Sequence, residues 1–226
     1  WRAEPWSSPS SSAPPAPVDL TGIWSRISAG TVKVHLDYTA AADSRIADYH
    51  YLDDPALRCI SPGLVRLSGW PYPVEIVQND TQVTVLYESF HEVRRIYTDG
   101  RDFPDDLPAT AMGYSIGHWE GSTLVVETRQ LKPGYVDLAG QPLSENALVT
   151  EHISLVDNGS VLRSLLTLHD PEFYKRPITR YRQWRRTPDA AILEYDCDPY
   201  PFFRGLELEG TLDEYWQRMR QAARRR

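Results

Sequence analysis

Along most of this chain apolar and polar residues alternate with the two-residue period of half-buried strands. Residues 31–39, TVKVHLDYT, set Val32, Val34, Leu36 and Tyr38 on one face and Lys33, His35 and Asp37 on the other, predicting a strand with His35 toward solvent. Residues 74–77 and 82–89 predict two strands joined through Asn79-Asp80, a pair suited to positive φ. Residues 83–97, VTVLYESFHEVRRIY, are the longest strand candidate, bent by a bulge or split in two. Unbroken alternation puts Val83, Val85, Tyr87, Ser89, His91, Val93, Arg95 and Tyr97 on one face. Thr84, Leu86, Glu88, Phe90, Glu92, Arg94 and Ile96 then share the other. Neither face is purely apolar, which suits the wall of a barrel with a partly polar interior; cross-strand ion pairs are the plainer explanation. Residues 147–156 and 161–169 flank Asn158-Gly159 as a hairpin, and 178–186 and 191–197 flank Thr187-Pro188-Asp189 as a last pair. One helix is predicted over 211–223, opened by Thr211 as N-cap with Glu214 three residues on. Leu212, Tyr215, Trp216 and Met219 share its apolar face, which packs on the sheet or meets a partner.

The segment 113–128, GYSIGHWEGSTLVVET, breaks the rhythm with Gly113, Gly117 and Gly121. Three interior glycines, each costing about 1 kcal/mol relative to alanine, argue against a helix. They predict a tight loop feeding a strand over 123–128. Residues 55–73, 101–108 and 134–141 read as loops, Asp99-Gly100 as a hairpin turn, and 40–57 takes no assignment. Near the start, Gly22-Ile23-Trp24 resembles the GxW motif of lipocalin-type barrels, where the tryptophan closes the base. The expected fold is all-β: an antiparallel calycin-like β-barrel of roughly eight to ten strands with one C-terminal helix.

Composition narrows the partners. A formal charge of −7 argues against a nucleic-acid backbone, and no apolar run approaches the roughly 18 residues that cross a bilayer. Residues 1–17 are a Pro/Ser/Ala tract that reads as a flexible tether, leaving 18–226 as a single barrel domain. Such a tether commonly follows a removed secretory signal, and an artificial chain start gives the same pattern. Cys59 and Cys197 are too few for a zinc site of the paired CxxC type. They suit either a disulfide between neighbouring ends of a closed sheet or two buried thiols.

Asp99-Gly100-Arg101, Pro104 and Pro108 precede Gly113-Tyr114-Ser115-Ile116-Gly117-His118-Trp119-Glu120-Gly121-Ser122-Thr123-Leu124-Val125-Val126. This core, with Arg58-Cys59, Leu86-Tyr87-Glu88, Thr150-Glu151, Asp170-Pro171 and Glu194-Tyr195, resembles an uncharacterised family of secreted bacterial proteins. The resemblance implies a signal-bearing precursor, a secreted or periplasmic location and a mostly β domain, and it supplies no activity. Phe103, Leu143 and Ser122 depart from the family pattern, which often has histidine or leucine at the first position, histidine at the second and aspartate at the third. That departure puts a shared metal-dependent activity in doubt.

Chemistry without a cofactor needs a base, a hydrogen-bond donor and a dry pocket. His91 or His118 is the candidate base, with Glu88 or Glu151 to orient the imidazole or replace it in a buried setting. Arg95 and Tyr114 are placed to hold a developing oxyanion, and Tyr87, Tyr97, Trp119 and Tyr181 to wall an aromatic ligand. Satisfied polar side chains in a barrel wall are the plainer account of each. His91, His118, His152 and His169 lack the close spacing that marks a metal site, so none is assigned. Ser115 fits GxSxG in letters, but a nucleophile elbow needs a strand before it and a helix after it. These residues point to an exported barrel that binds a small apolar or aromatic molecule and transforms it as a lyase, isomerase or cyclase. The rival readings are a non-catalytic carrier or sensor and a protein-interaction module using the C-terminal helix.

Overall fold

The Asn-Gly hairpin forms as its pattern demands. The computed structural model describes residues 16–27 and 36–224. Within it the strands are β1 (Gly22–Arg26), β2 (Val74–Asn79), β3 (Gln82–Tyr87), β4 (Val93–Tyr97), β5 (Tyr114–Glu120) and β6 (Thr123–Arg129). They continue with β7 (Gly134–Tyr135), β8 (Pro142–Leu143), β9 (Leu148–Val156), β10 (Val161–His169) and β11 (Ile178–Arg186). The helices are α1 (Ala40–Ala47), α2 (Leu64–Leu67), α3 (Tyr200–Leu208) and α4 (Leu212–Arg224). Nine strands close into a barrel in the order β1-β11-β10-β9-β6-β5-β4-β3-β2, and β7 with β8 makes a separate two-stranded sheet. β9 and β10 pair along their full length, from Leu148↔His169 to Val156↔Val161.

Every barrel pairing is antiparallel except β4 with β5. Asp99-Gly100 is therefore no hairpin turn: the chain runs back along the barrel before β5 begins. The glycine segment is likewise a strand rather than a loop. Gly113 and Gly121 stand at its two ends with φ of +64° and +57°, where a turn needs them, and only Gly117 lies within it.

The strand predicted over 83–97 is split, and the split reverses its faces. Phe90 and His91 take left-handed backbone with φ of 59° and 50°. Across the kink Val83 faces Ile96 and Val85 faces Arg94. Arg94 and Ile96 thus join Val83, Val85 and Tyr87 inside, and Arg95 turns outward, the reverse of unbroken alternation. The turn between β2 and β3 also differs from expectation. Neither Asn79 nor Asp80 has positive φ, and Asn79 Oδ1 instead accepts the Thr81 N–H at 3.0 Å.

Residues 191–197 form no strand, because the closed barrel leaves β11 no free edge: β10 holds one side and β1 the other. Instead this tail crosses the kink. Leu193 N–H donates to Glu88 Oε2 at 2.9 Å and Tyr195 N–H to His91 Nε2 at 2.8 Å. Cys59 and Cys197 are joined by a disulfide that ties the end of the tail to the segment before α2.

The predicted loop 55–73 contains α2, whose four residues are all buried, and a 3-10 turn at Pro55–Arg58. Arg66 of α2 makes two 2.8 Å bonds to the Asp54 carboxylate. The unassigned stretch 40–57 holds α1, capped by Thr39. Of the strand predicted over 31–39, residues 31–35 with His35 lie outside the described residues, and Tyr38 makes one isolated bridge to Tyr174. Trp24 is fully buried, as its GxW setting implies, with the Arg186 guanidinium 4.2 Å from its ring centroid. α4 lies as predicted, but α3 joins it, so the C-terminus carries two helices. The face of α4 meets α3 and the 53–58 segment: Tyr215 packs on Phe202, and Arg218 pairs with Asp53 at 2.9 Å. No helix among the described residues is long and apolar enough to cross a membrane.

Candidate functional site at the β4–β5 seam

The barrel wall is thinnest where its one parallel pairing falls. β4 and β5 meet through two residue pairs, Ile96↔Ser115 and Tyr97↔Ile116. From Val93 to Arg95, β4 has no strand partner on that side. The strands splay there into an outward-facing groove of about 400 Å³. Its walls include Glu92, Arg95, Tyr97, Thr110 and Tyr114. Gly113 forms part of its floor, where a Cβ would stand 2.6 Å from the Arg129 carbonyl oxygen.

An aromatic cluster borders the groove. Tyr97 and Tyr114 have ring centroids 5.2 Å apart, and Phe103 lies 5.9 Å from Tyr114. Arg101 sits 3.8 Å over the Tyr97 ring and Arg129 4.4 Å over Phe103. Hydrogen bonds to Asp99 and then to the Tyr114 hydroxyl hold the Arg101 pKa above its ordinary value.

From the inside, Arg94 braces the same seam. Its Nε donates to Ser115 Oγ on β5 at 3.1 Å and its Nη2 to Thr128 Oγ1 on β6 at 3.0 Å. The guanidinium also pairs with Glu151 on β9, whose other oxygen accepts the Ser164 hydroxyl at 3.2 Å. One buried side chain thereby ties four neighbouring strands where the backbone ladder is short. Burial alone would lower the Arg94 pKa; Glu151 and Tyr87 more than offset it, so the group stays charged. Burial pushes the Tyr87 hydroxyl up to about 12. The lumen beside this cluster keeps a cavity of about 30 Å³, space for one or two waters.

The ten residues singled out in the sequence do not converge. Arg95, Tyr97 and Tyr114 come together in the groove. Tyr87 and Glu151 line the lumen. Glu88 and His91 sit at the kink, bonded to the tail. His118 is about two-thirds exposed, 3.0 Å from Glu120, and Tyr181 is 42% exposed on the outer face of β11. Trp119 is half-buried against the core. Neither His91 nor His118 lines the groove or the lumen cavity. Ser115 is fully buried, 2.8 Å from Thr128 Oγ1 and within a strand, so it is no nucleophile elbow. Arg94 was missed. Its signal was present, since two adjacent arginines on a strand must send one inward.

No protein-family model matches the chain, and no curated protein matches it. Among solved structures the chain is similar to a crystal structure of a point mutant of the fluorescent protein UnaG. The two share 13% identity with a TM-score of 0.37, over 74% of this chain and 95% of that one.

Proposed function

We propose that this is an exported small-molecule-binding barrel whose site is the groove over the β4–β5 seam rather than the lumen. The observation that carries this reading is the groove's lining, Arg95 beside Tyr97 and Tyr114, in a space that the lumen does not offer. The groove offers about 400 Å³ and the lumen about 30 Å³, against the ~300–1,000 Å³ of ordinary ligand pockets. The groove's chemistry suits a small aromatic molecule bearing one acidic or hydrogen-bonding group. Tyr97 and Tyr114 supply ring faces, Arg95 a charge, and the β4 backbone unpaired polar groups. The disulfide fits the oxidising compartment of a secreted or periplasmic protein.

A carrier or sensor is favoured over an acid/base enzyme, because the groove's one carboxylate is Glu92 and both candidate histidines face elsewhere. Titration of the full chain with anilinonaphthalene sulfonate, an aromatic anion, tests the reading. Tyr97→Ala and Arg95→Met should each weaken binding about tenfold, as lost anchor contacts do at ~1.4 kcal/mol. Tyr181→Ala should not. Equal affinity in all four proteins, with unchanged near-UV circular dichroism, would sink the proposal.

A further inference from the structure

On the wall opposite the seam, three arginines gather with no carboxylate paired to them among the described residues. Arg26 ends β1, and Arg180 and Arg182 alternate with outward residues along β11, on the side of that strand that carries the buried Ile178 and Trp184. Arg26 faces Trp184 across the β1–β11 ladder and lies 5.2 Å from its ring centroid. Arg182 presses on the chain just past α2, where a Cβ on Gly69 would meet its Nη2 at 3.0 Å.

The two fully buried arginines among the described residues are paired with carboxylates, Arg66 with Asp54 and Arg94 with Glu151, whereas Arg26, Arg180 and Arg182 are half-buried. These three make no ion pair among the described residues. Arg26 donates to the carbonyls of Ile27 and Gln183 at 2.7 Å, Arg182 to the Tyr181 carbonyl at 3.4 Å, and Arg180 to Gln141 Oε1 at 3.4 Å. Among the described residues the Nε atoms of Arg26 and Arg182 are buried with no hydrogen-bond partner, as is that of Arg58. Asp137 and Asp170, the acids whose charges reach Tyr174 together with that of Arg180, already accept backbone N–H groups from Ala139 and Ser144.

Unpaired buried donors cost free energy, and like charges held together add to it. Burial, then Arg180 and Arg26, push the Arg182 guanidinium down to about 10. Burial also lowers Arg26. An anion seated among the three would offset that repulsion.

We infer that Arg26, Arg180 and Arg182 form an oxyanion-binding site at the α2 end of the barrel, taking a carboxylate or phosphate group by charge-assisted hydrogen bonds. The site is separate from the seam groove and does not depend on it. Its occupant neutralises the cluster.

Trp184 provides the readout, because Arg26 lies on its ring. The full chain is titrated with inorganic phosphate and, separately, with acetate, at ionic strength held constant with sodium chloride. Saturable change in tryptophan fluorescence is expected with at least one of them, and the stronger of the two identifies the group preferred. Arg182→Met and Arg180→Met should each weaken that binding at least tenfold, while Arg185→Met, outward on the same strand, should leave it within twofold. The inference is overturned if neither anion saturates beyond the chloride control. It is equally overturned if Arg185→Met weakens binding as much as the two inward variants do.

Discussion

Replacing Arg94 by methionine leaves the Glu151 carboxylate in the lumen without its cation. Removing one partner of a buried pair costs about 3–5 kcal/mol, because the survivor keeps its desolvation penalty. Arg94→Met and Glu151→Leu should each lower the unfolding free energy from urea titration by that order, and the double variant should recover most of the loss. A double variant as unstable as the sum of the singles would deny that the two act as a pair. Tyr87 adds a pH dependence. Its folded pKa of about 12 stands above the ~10 of an exposed phenol, so the fold favours the neutral form. That contribution is whole below about pH 10 and is lost as the pH rises through about 12, a total of roughly 2–3 kcal/mol at 1.36 per unit. Urea midpoints of the parent should therefore fall more steeply than those of Tyr87→Phe across this alkaline window.

At the scale of elements, what the sequence disclosed followed local alternation, and what it hid followed breaks in it. The hairpin β9–β10 was legible because nine residues on each side alternate around Asn158-Gly159. The faces of β4 were not, because two left-handed residues at Phe90 and His91 shift the phase and no glycine announces them. Arg95 and Tyr97 were thus grouped correctly with one another but wrongly with Val83, Val85 and Tyr87, from which the kink separates them. β5 was hidden by glycines that serve its ends, and the tail by closure of the barrel, a fact no local pattern contains. The tail also makes a prediction. It is held by single hydrogen bonds to Glu88 and His91, by Tyr195 against Phe90 and Tyr72, and covalently by the disulfide. With a sequence separation of 138 between the cysteines, the chain-entropy model bounds the loss in Cys59→Ser/Cys197→Ser at ~5 kcal/mol. Because the tail and the α3–α4 pair lie outside the ladder, the first effect should be local release. Limited proteolysis should cut between 187 and 199 while β9–β10 amides stay protected from exchange; simultaneous loss of both would show that tail and barrel melt as one unit.

A closed barrel has no free edge, so it opens where its weakest ladder lies. Here that is the β4–β5 seam, two residue pairs long against seven between β5 and β6. Arg94 compensates from within, since its bonds reach β5, β6 and β9 without passing through the β4 backbone ladder. The seam is therefore a place where backbone groups are open to solvent yet the two strands stay registered, which is what a groove for an outside ligand requires. Native-state exchange gives this a measurable form. Amides at 93–97 should exchange through smaller openings than those of β9 and β10, and Arg94→Met should speed the former by more than the latter. A ligand seated across the groove bridges the two strands, so saturating anilinonaphthalene sulfonate should slow exchange at the seam selectively. Uniform slowing over the whole barrel would instead indicate a ligand that stabilises the fold from some other site.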